Sequence, residues 1–311
     1  MAMSQHETIS RIASMWKAEK SLYVKLSTLA AYNFILESHL LPAFGKKTSI
    51  SENDVQEMVN AKLADGLSGK SVHDILVVLK MILVYADRNG LMDYRPMQIR
   101  LPTRQKNTAV PTFSLEQQRI LSNYLKEHPS SKSLGLQICL FSGLRIGEIC
   151  ALRWDNVDTD ECIIRIRQTL QRIYVYDDSG SKHTELVMDA PKSPDSIRDI
   201  PVPAELIQQL IPYKNMAGDE AFVLSGKKVP IEPRVYRTFY KRLLRRAGLP
   251  NIRFHALRHS FATRCIDGNC DYKTVSALLG HSNISTTLNL YVHPSIDQKR
   301  KVVESMSAVL K

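Results

Sequence analysis

Three short polar clusters and one tyrosine carry the residue types that chemistry at an anionic centre requires. They are residues 143–148 (GLRIGE), residues 255–259 (HALRH), residues 279–281 (LGH) and Tyr291. His255 and Arg258 stand three residues apart, so on a helix their side chains face the same way. An imidazole beside a guanidinium suits a centre that needs both proton transfer and charge neutralisation.

Tyr291 is the candidate nucleophile of this constellation, and it follows His281 by ten residues. A phenol has an ordinary pKa of about 10, so only about one molecule in a thousand is ionised at pH 7. It attacks usefully only beside a base or a strongly positive site. Gly280 is expected to end one helix in a left-handed cap that presents His281. A further helix capped by residues 282–283 would then carry Tyr291 about two turns on.

Arg145 follows Ser142-Gly143, a break at which the backbone could approach a ligand closely. Glu148 comes three residues later and could pair with Arg145 and orient it. The alternative is an ordinary ion pair on a helix surface, worth under roughly 0.5 kcal/mol. The apolar neighbours Leu144 and Ile146 favour the first interpretation.

The charge and composition of the chain limit its partners and its compartment. The 311 residues carry a formal net charge of +11, which favours an anionic partner. No run of 18 apolar residues, polybasic tail or secretory signal pattern is present. Five cysteines without a C-x-x-C pair predict neither a disulfide framework nor a zinc site. We therefore expect a cytoplasmic protein without a membrane partner.

The periodicity predicts two domains, with a helical domain over residues 1–100. A long amphipathic helix runs through residues 72–86, and Asn89-Gly90 ends it. Another helix starts after Ser51, and an earlier one is expected over Ser21–Glu37. Residues 101–112 lack periodicity and form the expected linker, which could be a basic strap along DNA or an ordinary solvated connection.

The second domain is expected over residues 113–311. A capping box at Ser114–Gln117 starts its first helix, and an apolar helix over 135–151 is broken at Ser142-Gly143. Helices return from about Ala204. The predicted strands are 163–166, 173–176, 185–188 and 198–201. The fold class is mainly α with a small antiparallel β-sheet, that is, α+β.

These motifs, taken in order, resemble the signature of the tyrosine recombinases, also called phage-type integrases. Arg145, His255-x-x-Arg258, Leu279-Gly280-His281 and Tyr291 match that signature at the expected spacing. The flanking segments FSLE, SGLRIGE, FHALRHSFAT and LGHSNISTT agree as well. Each motif is weak alone, but four in this order are specific, and the resemblance covers essentially the whole chain.

The resemblance implies a site-specific recombinase that cuts and rejoins DNA without a cofactor, metal or ATP. Arg145 and Arg258 would grip the scissile phosphate, and such clamps stabilise the charge of a phosphoryl-transfer transition state. His255 would assist proton transfer, and His281 would hydrogen-bond the phosphate. Tyr291 would attack and leave a 3′-phosphotyrosyl link and a free 5′-hydroxyl.

A hairpin lysine acts as the general acid in the resembled family. Lys192, in Pro191-Lys192-Ser193 ahead of Arg198, matches that segment. Lys182 is the competing choice, because the turn around residues 177–180 could shift the register of the hairpin.

Further implications concern DNA contacts and assembly. A helix over residues 236–246 offers a phosphate-tracking face, or else a simply solvated one, with Val235, Phe239 and Leu243 on another side. Its basic residues are Arg237, Lys241, Arg242, Arg245 and Arg246. A C-terminal helix over about 295–310 would dock on a neighbouring protomer of a tetramer on paired DNA sites, or pack in cis.

The resemblance also suggests a mobile genetic element, nucleoid association and an accessory DNA-bending or directionality factor. Only about twenty residues precede the first expected helix, too few for an arm-binding domain, so we expect the two-domain form of the family or a chain from which that domain was removed.

Three alternatives compete with this interpretation. A zinc hydrolase could use His255, His259 and His281, but Ala256 stands where its glutamate base belongs and an arginine would repel the metal. A catalytically silent DNA-binding protein on the same scaffold would bind without cleavage. A type IB topoisomerase would share the chemistry but relax DNA without paired sites.

Overall fold

The computed structural model describes residues 7–102, 111–176, 181–191, 194–291, 300 and 303–304. The chain divides into two compact units. The first comprises Met1–Asn107 and Ile173–Glu185, and the second comprises Thr108–Arg172 and Leu186–Lys311. Both are mainly helical and the strands are few, which confirms the predicted fold class. The predicted domain boundaries remain a prediction.

Among the residues that the structure describes, the first unit contains five helices. They are α1 (Ile9–Ser21), α2 (Leu26–Ile35), α3 (Leu41–Phe44), α4 (Glu52–Ala64) and α5 (Gly69–Arg88), with a π-helical turn over Leu36–Leu40 between α2 and α3. The predicted long helix is α5, which ends just before Asn89-Gly90. Ser51 caps α4 in a capping box with Asp54, because each accepts a hydrogen bond from the backbone of the other.

Helix α1 corrects the sequence prediction, which began the first helix near Ser21. Ile9, Ile12 and Trp16 follow helical spacing and are at most 1% exposed, so they bury one face of α1 in the core. The Trp16 ring packs against Tyr32, with 5.3 Å between the ring centroids. The segment predicted as one helix is divided, because residues 22–25 separate α1 from α2.

The second unit alternates helices with short strands. Its helices are α6 (Leu115–Glu127), α7 (Ser131–Ser142), α8 (Ile146–Ala151), α9 (Ala204–Ala217), α10 (Pro233–Arg246), α11 (His255–Asp267), α12 (Tyr272–Leu279) and α13 (Ile284–Tyr291). Ser114 and Gln117 form the predicted capping box of α6. The predicted break at Ser142-Gly143 separates α7 from α8.

Five strands accompany these helices in the described ranges, and the four predicted ones are all present. They are β1 (Val157–Asp158), β2 (Ile163–Ile166), β3 (Thr169–Tyr176), β4 (Lys182–Asp189) and β5 (Arg198–Pro201). Strands β1, β2 and β5 form an antiparallel sheet in that order, while β3 pairs with β4. Ile164 faces Ile200, and Ile166 faces Arg198, so Arg198 lies on the buried face of the sheet.

The part of the β3–β4 pair that belongs to the first unit, Ile173–Glu185, makes an aromatic contact with α2. The Tyr174 ring stacks on Phe34 of α2 with 5.5 Å between centroids. Lys182 Nζ lies 4.6 Å from the Phe34 centroid and 4.0 Å from the Tyr174 centroid. Both distances fit cation–π attraction.

The side of α10 that packs in the core of the second unit differs from the predicted one at Val235. The sequence placed Val235, Phe239 and Leu243 on the apolar face, but Val235 is 52% exposed. Tyr236 and Tyr240 are fully buried instead, and the Tyr236 hydroxyl donates to the Lys132 carbonyl at 2.9 Å. A tyrosine with its hydroxyl satisfied in this way packs as a large apolar side chain.

Several predictions fall outside the described residues. Lys192 is one, most of the expected linker is another, and most of the expected C-terminal helix is a third. In the part of the chain that the structure describes, no helix combines the length and the apolar character needed to cross a membrane.

Replacing Trp16 by alanine is expected to lower the free energy of unfolding by about 3–5 kcal/mol, because it opens a large cavity in the first unit. Met15→Ala, at a 40% exposed position of the same helix, should change it by less than about 0.5 kcal/mol. Urea unfolding followed by circular dichroism measures both. Equal effects of the two substitutions would contradict the assigned packing of α1.

Candidate active site

The turn after α12 brings backbone carbonyls to the centre of the candidate site. Gly280 ends the helix with φ +65°, as predicted, and the His281 amide closes the turn on the Ser276 carbonyl at 3.1 Å. A Cβ at Gly280 would lie 2.9 Å from the carbonyl oxygen of Asp195. Both the left-handed backbone and this close approach require glycine.

Arg258 is buried between the ends of two helices, with 1% exposure. Its Nη1 donates to the carbonyl of Gly143, which caps α7, at 3.1 Å. Its Nη2 donates to the carbonyl of Leu279, the last residue of α12, at 2.5 Å. Carbonyls at helix C-termini lack intrahelical partners and carry partial negative charge, so they suit a buried cation.

Glu148 is the carboxylate that organises two further arginines. Arg145 donates to it from Nη1 at 2.7 Å and from its backbone amide at 2.9 Å. Arg198 donates from Nη1 at 3.2 Å and from Nη2 at 3.0 Å. Arg145 Nη2 also reaches the Gly280 carbonyl at 3.1 Å, and Arg198 Nε reaches the Leu278 carbonyl at 2.6 Å.

The site has a surplus of positive charge. Arg145, Arg198 and Arg258 contribute three positive charges and Glu148 one negative charge, which gives +2 together. Burial by itself would raise the pKa of Glu148, but Arg198 and Arg145 outweigh it and hold that pKa below its ordinary value. Burial, helped by Arg145, lowers the pKa of Arg258 to about 9. Glu148 is therefore ionised at neutral pH, and most Arg258 is still charged there.

His281 is held by the helix that follows it. Its Nδ1 lies 2.9 Å from Oγ1 of Thr287, a fully buried residue of α13. Burial and the positive charges of Arg258 and Arg145 lower the pKa of His281 to about 4. A neutral imidazole held at Nδ1 keeps Nε2 for another partner.

Tyr291, the last residue of α13, is 8% exposed and packs in a small apolar cluster with Phe261 and Leu279. Its hydroxyl lies 2.6 Å from Nδ1 of His259, one turn along α11 from His255. Burial raises the pKa of Tyr291, although Arg258 and Arg145 act in the opposite direction. The phenol is therefore protonated at neutral pH.

His255 begins α11 and retains access to solvent. Its ring meets that of His259 edge-on, with 4.5 Å between the centroids. Partial burial, His259 and Arg258 lower the pKa of His255. The same face of α11 thus carries His255, Arg258 and His259.

The second unit brings together most of the residues singled out from the sequence. Arg145, Glu148, Arg258 and His281 are linked through the turn at Gly280. Arg237, Lys241, Arg242 and Arg245 all lie exposed along α10. Lys182 belongs to the first unit and contacts Phe34 and Tyr174 there. The catalytic and DNA-binding roles of all these residues remain proposals.

Sequence reasoning missed three residues of the site, namely Arg198, His259 and Thr287. Arg198 carried a signal, since an arginine at an inward position of a strand needs a buried partner. His259 was weighed only as a zinc ligand, and its contact with Tyr291 is new. Among the described residues, no group of three or more His, Cys, Asp or Glu side chains is arranged to hold a metal ion.

Glu148→Gln is expected to lower the free energy of unfolding at pH 6 by about 3–5 kcal/mol, because it leaves Arg198 buried without its counter-charge. The folded pKa lies below the ordinary 4.5, so the stabilisation is full above that value and is lost as pH falls through the folded pKa. Urea unfolding at pH 6 and pH 4 measures this loss. The difference between wild type and variant should shrink at pH 4.

Glu161→Gln, at an exposed glutamate, is the matched control and should leave stability unchanged at both pH values. A constant difference between wild type and Glu148→Gln across the pH range would contradict the ionised buried pair.

Two family models match the chain. That of the phage integrase family matches residues 113–297, and that of the phage integrase N-terminal SAM-like domain matches residues 8–63. A tyrosine recombinase XerC-like protein of Caldanaerobacter subterraneus subsp. tengcongensis is 30% identical over 297 residues, which span 88% of this chain and 75% of the relative.

Solved structures agree at the level of the fold. The integrase of transposon Tn1549, in complex with transposon right end DNA, superposes with a TM-score of 0.76 at 22% identity and covers 97% of this chain and 100% of that one. A lambda integrase tetramer bound to a Holliday junction superposes with a TM-score of 0.64 at 16% identity, covering 94% and 80%. Since the catalytic-domain model alone matches more than half of the chain, and the resemblance stated from its motifs is thereby confirmed, the chain belongs to the phage integrase family, the tyrosine recombinases.

Proposed function

We propose that this tyrosine recombinase cuts and rejoins DNA at specific sites, with Tyr291 as the nucleophile. The Tyr291 oxygen attacks the scissile phosphate and forms a 3′-phosphotyrosyl bond, while the bond to the 5′ oxygen breaks. A 5′-hydroxyl from a partner strand then reverses the step. The observation that carries the proposal is the cluster of arginines around the turn at Gly280, in the same unit as Tyr291.

Arg258 supports phosphate binding by its unused donor. Its Nε is buried and has no hydrogen-bond partner among the described residues. A buried donor without a partner costs free energy, which a phosphate oxygen would recover. Arg145 is 35% exposed and reaches the same turn, so the two guanidiniums can share one phosphate. They would stabilise the charge of the transition state without rearrangement.

The remaining catalytic roles follow the family signature and the local contacts. His281 would donate from Nε2 to the phosphate, because Thr287 holds its Nδ1. Lys192 would protonate the leaving 5′ oxygen. The Lys182 ammonium lies over the rings of Phe34 and Tyr174 in the first unit, and this engagement favours Lys192 for the role. His255 would act on the proton relay from beside His259.

Double-stranded DNA with paired recombination sites is the proposed substrate. Exposed basic residues of α10, among them Arg237, Lys241, Arg242 and Arg245, would contact its phosphates, and the helical unit would bind DNA as well. The surplus charge of the chain, +11, fits this polyanion.

The proposal extends to assembly and setting. We infer a homotetramer on paired sites, with the C-terminal segment docking on the next protomer, and the lambda integrase tetramer supports this assembly. The similarity to a transposon integrase supports an origin in a mobile genetic element. The enzyme would work in the cytoplasm at the nucleoid, assisted by an accessory DNA-bending or directionality factor.

Tyr291→Phe is expected to abolish the covalent protein–DNA adduct and to leave DNA binding intact, because it removes only the hydroxyl from a packed ring. The measurement incubates protein with nicked DNA carrying its recombination site, without metal or ATP, and resolves the adduct on a denaturing gel. Tyr272→Phe, at a 41% exposed tyrosine, is the matched control. An adduct that survives in Tyr291→Phe would sink the proposal.

Arg245→Ala is expected to weaken DNA binding and to reduce the slope of log K against log salt by about 1, because one phosphate contact is lost. Arg245→Lys keeps the charge and should keep the slope. Binding titrations at several salt concentrations measure both. Identical slopes for wild type and Arg245→Ala would remove this residue from the DNA interface.

A further inference from the structure

His259 makes a hydrogen bond with the reacting atom of Tyr291. Its Nδ1 lies 2.6 Å from the Tyr291 hydroxyl oxygen, a short hydrogen bond within the usual range. Both side chains are only 8% exposed, so water does not compete strongly for this bond. The bond joins α11 to α13 through two residues that lie 32 positions apart in sequence.

The charge states of the two groups allow the Tyr291 hydroxyl to act as the donor in this hydrogen bond. Burial and the neighbouring Arg258 lower the pKa of His259 to about 4, so the imidazole is neutral at pH 7. Burial also keeps the phenol of Tyr291 protonated. A protonated phenol is the donor toward an imidazole nitrogen that carries no proton. In the His259 tautomer that carries its proton on Nε2, Nδ1 is free to accept, and the Tyr291 hydroxyl donates to it.

We propose that His259 accepts the proton of Tyr291 during DNA cleavage. The inference rests on the proposed function of Tyr291 and names the base that it requires. The Tyr291 proton moves to Nδ1 as the oxygen–phosphorus bond forms. The bond from phosphorus to the 5′ oxygen breaks, and that oxygen takes a proton from a separate acid, the hairpin lysine. In rejoining, His259 returns its proton to the departing tyrosine.

The other two histidines of the site have different partners. His281 is engaged through Nδ1 with Thr287 at 2.9 Å. The His255 ring instead meets the His259 ring edge-on. Its position suits a second member of a relay, because it is the solvent-accessible neighbour of a buried base.

The charges around His259 make its basicity depend on whether a DNA phosphate is bound. The groups that face it are His255 and Arg258 on its own helix and Tyr291 on α13. Arg258 disfavours an imidazolium while no anion is near. A DNA phosphate gripped by Arg258 offsets that positive charge, so the imidazole becomes a stronger base when substrate is in place.

The first test measures single-turnover cleavage of nicked DNA by His259→Phe and His259→Asn between pH 6 and pH 9. Phenylalanine fills the space of the imidazole but accepts no proton. Asparagine places an acceptor oxygen close to the Nδ1 position, yet it is not protonated in this range. Both variants should cleave roughly 10²–10⁴-fold more slowly at pH 7, the usual contribution of a general base.

The pH profile separates proton transfer from packing. Without a base, the rate should follow the ionised fraction of the phenol and rise about tenfold per pH unit. The wild type should be nearly flat above pH 6. A His259→Asn variant that cleaves at the wild-type rate with a flat profile would show that the histidine only positions the tyrosine, and would overturn the proposal.

A second substrate identifies the side of the reaction on which His259 acts. Sulfur in place of the 5′ bridging oxygen makes a leaving group that needs no proton. His259→Phe should remain slow on this DNA, because its defect lies at the attacking atom. Recovery of the wild-type rate would assign His259 to the leaving group and overturn the inference.

Parallel controls distinguish this proposal from the one on which it rests. An adduct in Tyr291→Phe would remove the proposed nucleophile itself. Adduct loss in Tyr291→Phe with rapid cleavage by His259→Phe would overturn only the role of His259. His128→Phe, an exposed histidine after α6, should match the wild type in cleavage.

Discussion

Two helices of the second unit end against one guanidinium, and the site is arranged around that contact. The carbonyl of Gly143 at the end of α7 and the carbonyl of Leu279 at the end of α12 both accept from Arg258. Buried carbonyls at helix ends and a buried guanidinium are each costly when alone. Together they satisfy one another, and the geometry of the fork fixes where the two helices stop relative to each other.

A buried carboxylate plays the corresponding part for the other two arginines, Arg145 and Arg198. Glu148 is 3% exposed and receives Arg145 on one side and Arg198 on the other. Repulsion between closely spaced guanidiniums is thereby reduced, although a net positive charge remains. A site built in this way needs little reorganisation when an anion arrives, which is the usual origin of electrostatic catalysis. The neutral tyrosine beside it is protected from premature ionisation by burial.

Local features of the fold were predictable from the sequence because their causes are local. The capping box at Ser114, the break at Ser142-Gly143 and the left-handed turn at Gly280 each depend on a few neighbouring residues. The four catalytic motifs were recognised from their order and spacing. Chemistry at the site could thus be anticipated without knowledge of the packing.

Features that depend on distant partners escaped the sequence. Arg198 meets Glu148 across 50 residues, and nothing near either position announces the other. On α10, two stripes at helical spacing competed for the core. Tyr236 and Tyr240 are buried and Val235 is exposed, while Phe239 packs against the core. The Tyr236 hydroxyl is bonded to a distant carbonyl, and periodicity does not contain that information.

Helix α13 places a restriction on how the chain can change in length. Tyr291 is its last residue, and Thr287, one turn earlier, holds His281 at the other end of the segment. An insertion of one residue between them would rotate the phenol by about 100° around the helix axis. The stretch from His281 to Tyr291 therefore behaves as a single cassette. Chimaeras between relatives would need their junctions outside it, whereas junctions at exposed loops elsewhere in the unit would leave the register of the nucleophile unchanged.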